Sequence, residues 1–191
     1  MDLGIISDQE FKADEFQISA FKTAQYEDCL FDTLDFSNTS FSECKFINCQ
    51  FIACDLSMVK LVNTMFQNVE FNSCKMLGLQ FDLCNTFLLK MNFEHCKISL
   101  SSFYQLDLKK TNFNGSQLEE ADFTDCNLED CIMLNCNLLN ANFDGANLSK
   151  ADLRTAYNFN IDPDKCNLKG AKFSNVNVGG LLSKYGIVIE E

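Results

Sequence analysis

Large apolar residues recur at every fifth position of this chain, a spacing that neither a helix nor a strand can sustain. The series runs Phe11, Phe16, Phe21, Tyr26, Phe31, Phe36, Phe41, Phe46, Phe51, Leu56, Leu61, Phe66, Phe71, Met76, Phe81. It resumes two residues out of step at Leu88, Phe93, Ile98 and Phe103 and continues to Leu153. An α-helix repeats about every 3.6 residues and a strand about every 2, so a period of five requires a chain that turns once per repeat. Self-similarity of this kind is the mark of a solenoid. The slip lies within residues 82–87. A second irregularity, AYNFNIDPD at 156–164, holds the only proline, and the register returns at Leu168, Phe173 and Val178.

Each repeat has an inner grammar. Two residues before the large residue stands a small one, as at Thr111, Ala121, Ala141, Ala146 and Ala151. Immediately before it stands Asp or Asn through most of the second half, from Asp107 and Asn112 to Asn147 and Asp152. Gly78, Gly115, Gly145 and Gly170 fall two residues after it, where a turn requires positive φ. The eleven cysteines obey the same grammar. Cys29, Cys44, Cys49, Cys54, Cys74 and Cys84 take the small slot of the first register, and Cys96, Cys126, Cys131, Cys136 and Cys166 that of the second. Their spacing therefore comes from the repeat, and they read as small inward residues. Zinc sites favour CxxC pairs or Cys/His clusters, and neither occurs. His95, the sole histidine, reads as an outward surface residue. The sequence holds no phosphate-cradling glycine loop and no nucleophile–base constellation, so the expectation is a non-enzymatic protein without cofactor or metal.

The stretch ANFDG ANLSK ADLRT resembles the A[DN]LxG consensus of pentapeptide-repeat proteins, and the match extends over residues 11–178. That resemblance implies an all-β solenoid, a right-handed quadrilateral parallel β-helix with four pentapeptides, about twenty residues, per coil. About eight coils at the usual strand spacing make a rod of roughly 40 Å. Residues twenty apart then stack: Phe11, Phe31, Phe51 and Phe71 on one side, Phe103, Phe123 and Phe143 on another, and Leu88, Leu108, Leu128 and Leu148 on a third. Residues 1–10 are expected to cap the rod at its start and residues 179–191 at its end. The segment GGLLSKYGIVIEE leaves the period, with Leu181, Leu182 and Tyr185 on one face of a short helix, Gly186 to stop it, and Ile187 to Ile189 as a strand.

Charge supplies the functional reading. With 27 acidic and 15 basic residues the net charge is −12, which argues against nucleic acid or an anionic membrane as a direct ligand. No apolar run approaches the ~20 residues of a bilayer span, and the N-terminal MDLGIISDQEF lacks a secretory pattern, so a cytoplasmic protein is expected. No basic residue lies between Lys110 and Lys150, while Glu119, Glu120, Asp122, Asp125, Glu129, Asp130 and Asp144 do. In the first half Glu15, Asp35 and Asp55 share a column at period twenty until Lys75 ends it. The sequence NIDPDKCNLKGAKFS with LLSKYGIVI resembles the C-terminal region of the quinolone-resistance (Qnr-type) and microcin-immunity group. That likeness implies a head-to-head homodimer through Leu181, Leu182, Tyr185, Ile187 and Ile189. It also implies a DNA mimic whose acidic residues bind the DNA-gripping saddle of a type II topoisomerase, DNA gyrase or topoisomerase IV, and protect it from quinolones or a microcin. The long loops of several Qnr proteins have no counterpart here beyond the slip and the break. The alternative is a pentapeptide-repeat scaffold or regulatory adaptor with no topoisomerase partner, its acidity serving solubility.

Overall fold

The computed structural model describes residues 3–188. The chain winds into a parallel β-solenoid with four sides per coil. On the first side β1 (Ile5–Ser7), β3 (Gln25–Glu27), β5 (Lys45–Ile47) and β7 (Met65–Gln67) pair in order. On the second, β2 (Glu10–Lys12), β4 (Leu30–Asp32), β6 (Gln50–Ile52), β8 (Val69–Asn72) and β9 (Met91–Glu94) do the same. The third and fourth sides are joined by single bridges such as Asp35↔Asp55 and Ser40↔Lys60, again twenty residues apart. Because β1 already pairs with β3, the first coil begins inside the segment expected to be a separate cap.

The turn at each corner explains the period. From Asp28 to Lys150 the residue two after the large one takes positive φ at nearly every repeat, at Asp125 (57°), Asp130 (58°) and Asn140 (57°) as at Gly145 (75°), with Leu83 an exception. Its partners at the third and fourth sides close a hydrogen-bonded turn, Thr39 N–H to Phe36 O at 3.0 Å and Cys126 N–H to Phe123 O at 3.1 Å. Beyond β9 the first two sides adopt it as well, through Thr111 to Leu108 and Ser116 to Phe113. The repeat's Asp or Asn has a local task there. Its side chain accepts the N–H two residues on, as Asp122 does from Thr124 at 3.0 Å and Asn147 from Ser149 at 3.2 Å.

The slip sits slightly later than the sequence suggests. Asn85 still bridges Met65, twenty residues back, whereas Met91 pairs with Val69, twenty-two back, so the two added residues lie between Asn85 and Met91. Leu88 therefore does not head the third ladder. It occupies a left-handed turn (φ 54°) and is 65% exposed, while Leu89 packs against the core. The insertion swings the position that counting by fives would bury out to solvent.

Inside, aromatic rings stack coil upon coil. Phe31 lies 4.6 Å from Phe51 with planes 10° apart, Phe93 lies 5.2 Å from Phe113, and Phe103 lies 5.0 Å from Phe123 at 3°. Neighbouring sides meet edge to face, as Phe103 meets Phe113 at 85°. The cysteines are free. Most of their thiols donate to the carbonyl of the large residue one coil back: Cys54 to Phe31, Cys74 to Phe51, Cys126 to Phe103 at 2.8 Å, and Cys136 to Phe113 at 3.0 Å. Thr64 does the same to Phe41 O at 2.8 Å, so this slot takes small donors for a reason beyond size. Burial pushes the Cys126 and Cys136 thiols up to about 12, keeping them protonated as donors.

The end of the rod departs from expectation. In place of a regular helix there are two short 3₁₀ turns, Val178–Leu181 and Ser183–Tyr185, the second ended by Gly186 at φ 61°. A run this short cannot repay helix nucleation, and Gly179 and Gly180 weaken it further. Ile187 and Val188 form no strand, and Ile189 lies outside the described residues. The 156–164 break keeps the core filled, since Phe159 and Ile161 are buried and Cys166 returns to register beneath Phe143 O. Asn177 closes the open edge. Its amide donates to Leu153 O at 2.8 Å and Ala156 O at 2.9 Å, groups that would otherwise face the unpaired end of the solenoid.

Two measurements test these assignments. Thr33 is β-branched and sits at φ 58°, where left-handed backbone costs about 1–2 kcal/mol, so Thr33→Asn is expected to raise stability by roughly 1 kcal/mol in thermal or urea unfolding. Cys126 and Cys131 are equally buried, but only Cys126 donates to a carbonyl. Cys126→Ala should thus cost about 1 kcal/mol more than Cys131→Ala, and Cys126→Ser should recover part of it.

Candidate interaction surfaces

Winding distributes the ten acidic residues singled out by sequence over three places. Glu15, Asp35 and Asp55 fall on the third side, and there Asp55 is paired with Lys75 at 2.8 Å. Lys75 in turn bridges to Lys97, so this acidic column is followed by a basic one. Glu129 and Asp130 lie on the first side. Lys109, twenty residues earlier, reaches Glu129 at 2.7 Å, and Lys150, twenty-one later, reaches it at 2.8 Å. Asp130 lies 4.0 Å from the same Lys150. Hydrogen bonds from the two lysines hold the Glu129 carboxyl down at about 2. The stretch without basic residues in sequence is thus flanked by them in space.

The remaining five gather around the fourth side and the corner leading into it. Glu119 and Glu120 form the corner; Asp122, Asp125 and Asp144 follow. Asp144 is paired with Lys165 at 2.6 Å. Glu119, Glu120, Asp122 and Asp125 make no ion pair among the described residues. Glu119 is held by neutral donors, Ser99 Oγ and Asn137 Nδ2, both at 2.6 Å. Glu15 and Asp35 are likewise without an ion pair among the described residues, but Glu119, Glu120, Asp122 and Asp125 are the larger such group, four carboxylates within seven residues. Sequence counting missed that Glu129 and Asp130 are not part of it. The signal was available, because residues twenty apart in the repeat must be neighbours.

At the C-terminal end Leu181 turns inward and packs against the core, and Leu182 is half-buried. Tyr185 and Ile187 are exposed, beside Val188 at 85% exposure. The expected interface residues therefore divide into two that finish the core and two that face out, with Ile189 outside the described residues.

Among the described residues no set of three or more His, Cys, Asp or Glu is arranged to hold a metal. His95 occupies a turn at φ 54° with its imidazole over Gly115, where a Cβ would fall 2.2 Å from Nδ1. No helix among the described residues is long and apolar enough to cross a membrane.

Two trypsin-treated variants of QnrB1, a plasmid-mediated fluoroquinolone resistance protein, have similar folds. One aligns with a TM-score of 0.63 at 18% identity over 98% of both chains. The other aligns with a TM-score of 0.51 at 20% identity over 100% of both. At such identity the likeness is one of fold. Among curated proteins none matches the sequence. The family model for the pentapeptide repeat region matches residues 19–103, 48–123 and 112–181. With the repeat visible in the winding, the corners and the inner ladders, this chain belongs to the pentapeptide-repeat family.

Proposed function

We propose that this chain is a non-enzymatic DNA mimic that binds a type II topoisomerase, DNA gyrase or topoisomerase IV, as a homodimer joined at its C-terminal end. The observation that carries the reading is the unpaired acidic group Glu119, Glu120, Asp122 and Asp125 on one side of a narrow rod. Net charge −12 along roughly 40 Å is about one charge per 3 Å, some half the density of duplex DNA at ~1.7 Å per charge. The ion pairs at Asp55 and Glu129 lower the charge of the third and first sides, while Glu119, Glu120, Asp122 and Asp125 keep theirs, so the mimic presents a charged stripe there and not a uniform cylinder. Exposed Tyr185 and Ile187 beside that half of the rod supply an apolar end for a second copy, whose two-fold partner would extend the stripe. The fold shared with a fluoroquinolone resistance protein supports the same partner class.

The scaffold reading keeps a specific observation in its favour. Lys75 and Lys97 interrupt the third-side column, and Lys109 and Lys150 neutralise Glu129, as solubility without mimicry would allow. A gyrase supercoiling assay titrated with this protein, with and without a quinolone, separates the two. The mimic is expected to inhibit supercoiling or relieve quinolone inhibition, while no effect in either arm leaves the scaffold.

Replacing Glu119, Glu120 and Asp125 by their amides should weaken gyrase binding roughly tenfold and flatten its salt dependence. Glu129→Gln, which removes an already paired charge, should change it far less. Equal losses from both would refute the assignment to the fourth side. Tyr185→Asp with Ile187→Asp should convert a dimer to a monomer in sedimentation equilibrium without lowering the unfolding midpoint.

A further inference from the structure

The fourth side carries an apolar surface directly above its acidic group. Met58 (58% exposed), Leu100 (60% exposed), Val62, Leu83 and Tyr104 stand out on three successive coils. They occupy the two turn positions after the large inward residue, which elsewhere in this repeat are mostly polar. Between Met58 and Leu100 in the same column comes Gly78, where a Cβ would fall 2.7 Å from Met58 Sδ. The Met58 side chain lies over Gly78, and a groove of about 560 Å³ there is lined by Met58, Gly78, Leu83 and Leu100, with Lys60 among its walls. On the next coil the surface turns acidic: Leu100 N–H bonds to Glu119 O at 2.9 Å, and Ser102 bridges Asp122. Asp82 stands between Val62 and Tyr104, and its buried Oδ1 has no hydrogen-bond partner among the described residues.

We propose that this side is a docking groove for an amphipathic helical segment of a partner protein, its apolar face on Met58, Leu83 and Leu100 and its basic residues one turn further on, against Glu119, Glu120, Asp122 and Asp125. Charge complementarity selects a cationic segment, since those four carboxylates have no counter-ion among the described residues. Spacing selects a helix. Apolar residues three and four apart on a helix advance about 4.5–6 Å along its axis, close to the ~4.8 Å between coils, so a helix lying along the rod sets one apolar side chain on each coil. Lys60 at the opposite end of the groove disfavours the reverse placement of the basic turn. The groove takes such a segment whether or not a topoisomerase is the partner.

The test is fluorescence anisotropy with a fluorescein-labelled synthetic peptide carrying Leu at successive i and i+3 or i+4 positions and Lys over the following turn, against a copy with Glu in place of Lys. The Lys peptide is expected to bind, more weakly as salt rises from about 50 to about 300 mM, and the Glu peptide is not. Leu100→Asp should weaken binding about tenfold or more. It is a conservative probe of fold, since Leu100 is exposed at φ 61°, a conformation aspartate tolerates, and an unchanged unfolding midpoint confirms that the rod is intact. Phe87→Asp, at an exposed residue of the first side outside the groove, should leave affinity unchanged. Glu119→Gln with Glu120→Gln should lower affinity severalfold and flatten the salt dependence. Equal binding of the two peptides, no loss with Leu100→Asp, or an equal loss with Phe87→Asp would overturn the proposal. A negative supercoiling assay bears on the topoisomerase reading alone.

Discussion

Backbone hydrogen bonding between coils, repeated every twenty residues, is the constraint on which the rest of this structure depends. Parallel strands bond evenly along their length, so each coil lies in register on the one before, and every position is stacked on a residue of the same type of slot. Phe stacks on Phe, thiol meets carbonyl, and asparagine bonds to asparagine, as Asn167 does to Asn147 at 2.9 Å. A change of register propagates just as strictly. Two residues added between Asn85 and Met91 shift every later partner from twenty to twenty-two and back to twenty once both coils lie beyond them.

The turns that make such winding possible strain the backbone at nearly every corner. Left-handed residues are stable when glycine, asparagine or aspartate and costly when β-branched or bulky, yet Thr33, Met58, Leu88 and Leu100 all occupy them. Stacked rings and fully buried thiols on the inside offset that cost through area removed from water and close packing. The small slot contributes more than space. A Cys, Ser or Thr there gives a second donor to a turn carbonyl that already accepts one N–H, which is why Phe103 O takes both Leu106 N–H at 3.0 Å and Cys126 Sγ at 2.8 Å.

The same winding decides which charges matter. Acids that are neighbours in sequence are dealt to different sides, and bases from adjacent coils meet them. Glu129 and Asp130 are thereby compensated, while Glu119, Glu120, Asp122 and Asp125 remain as a group under an exposed apolar surface. The fourth side combines both features. Asp122 serves two ends at once, capping its turn through Thr124 N–H and adding charge to the group, so acidity here is partly a by-product of turn chemistry.

Much of this was legible from the chain alone. Period five dictated a turning solenoid, the inner ladders of Phe11 to Phe71 and Phe103 to Phe143, the small slots of all eleven cysteines, and the glycines at positive φ, because each follows from which residues repeat and how far apart. Tertiary structure decided the remainder. Leu88 faces solvent because it is still in step with Asn68, twenty residues back, and takes the same left-handed turn before the coil regains step at Met91; residues 178–185 form 3₁₀ turns because a short glycine-containing run cannot nucleate a longer helix; Glu129 lost its standing as a free charge because Lys109 and Lys150 arrive from adjacent coils. A repeat specifies what each residue is for within its own coil. Only the stacking of coils brings residues twenty apart within hydrogen-bonding distance, and at that distance pairing, exposure and net surface charge are set.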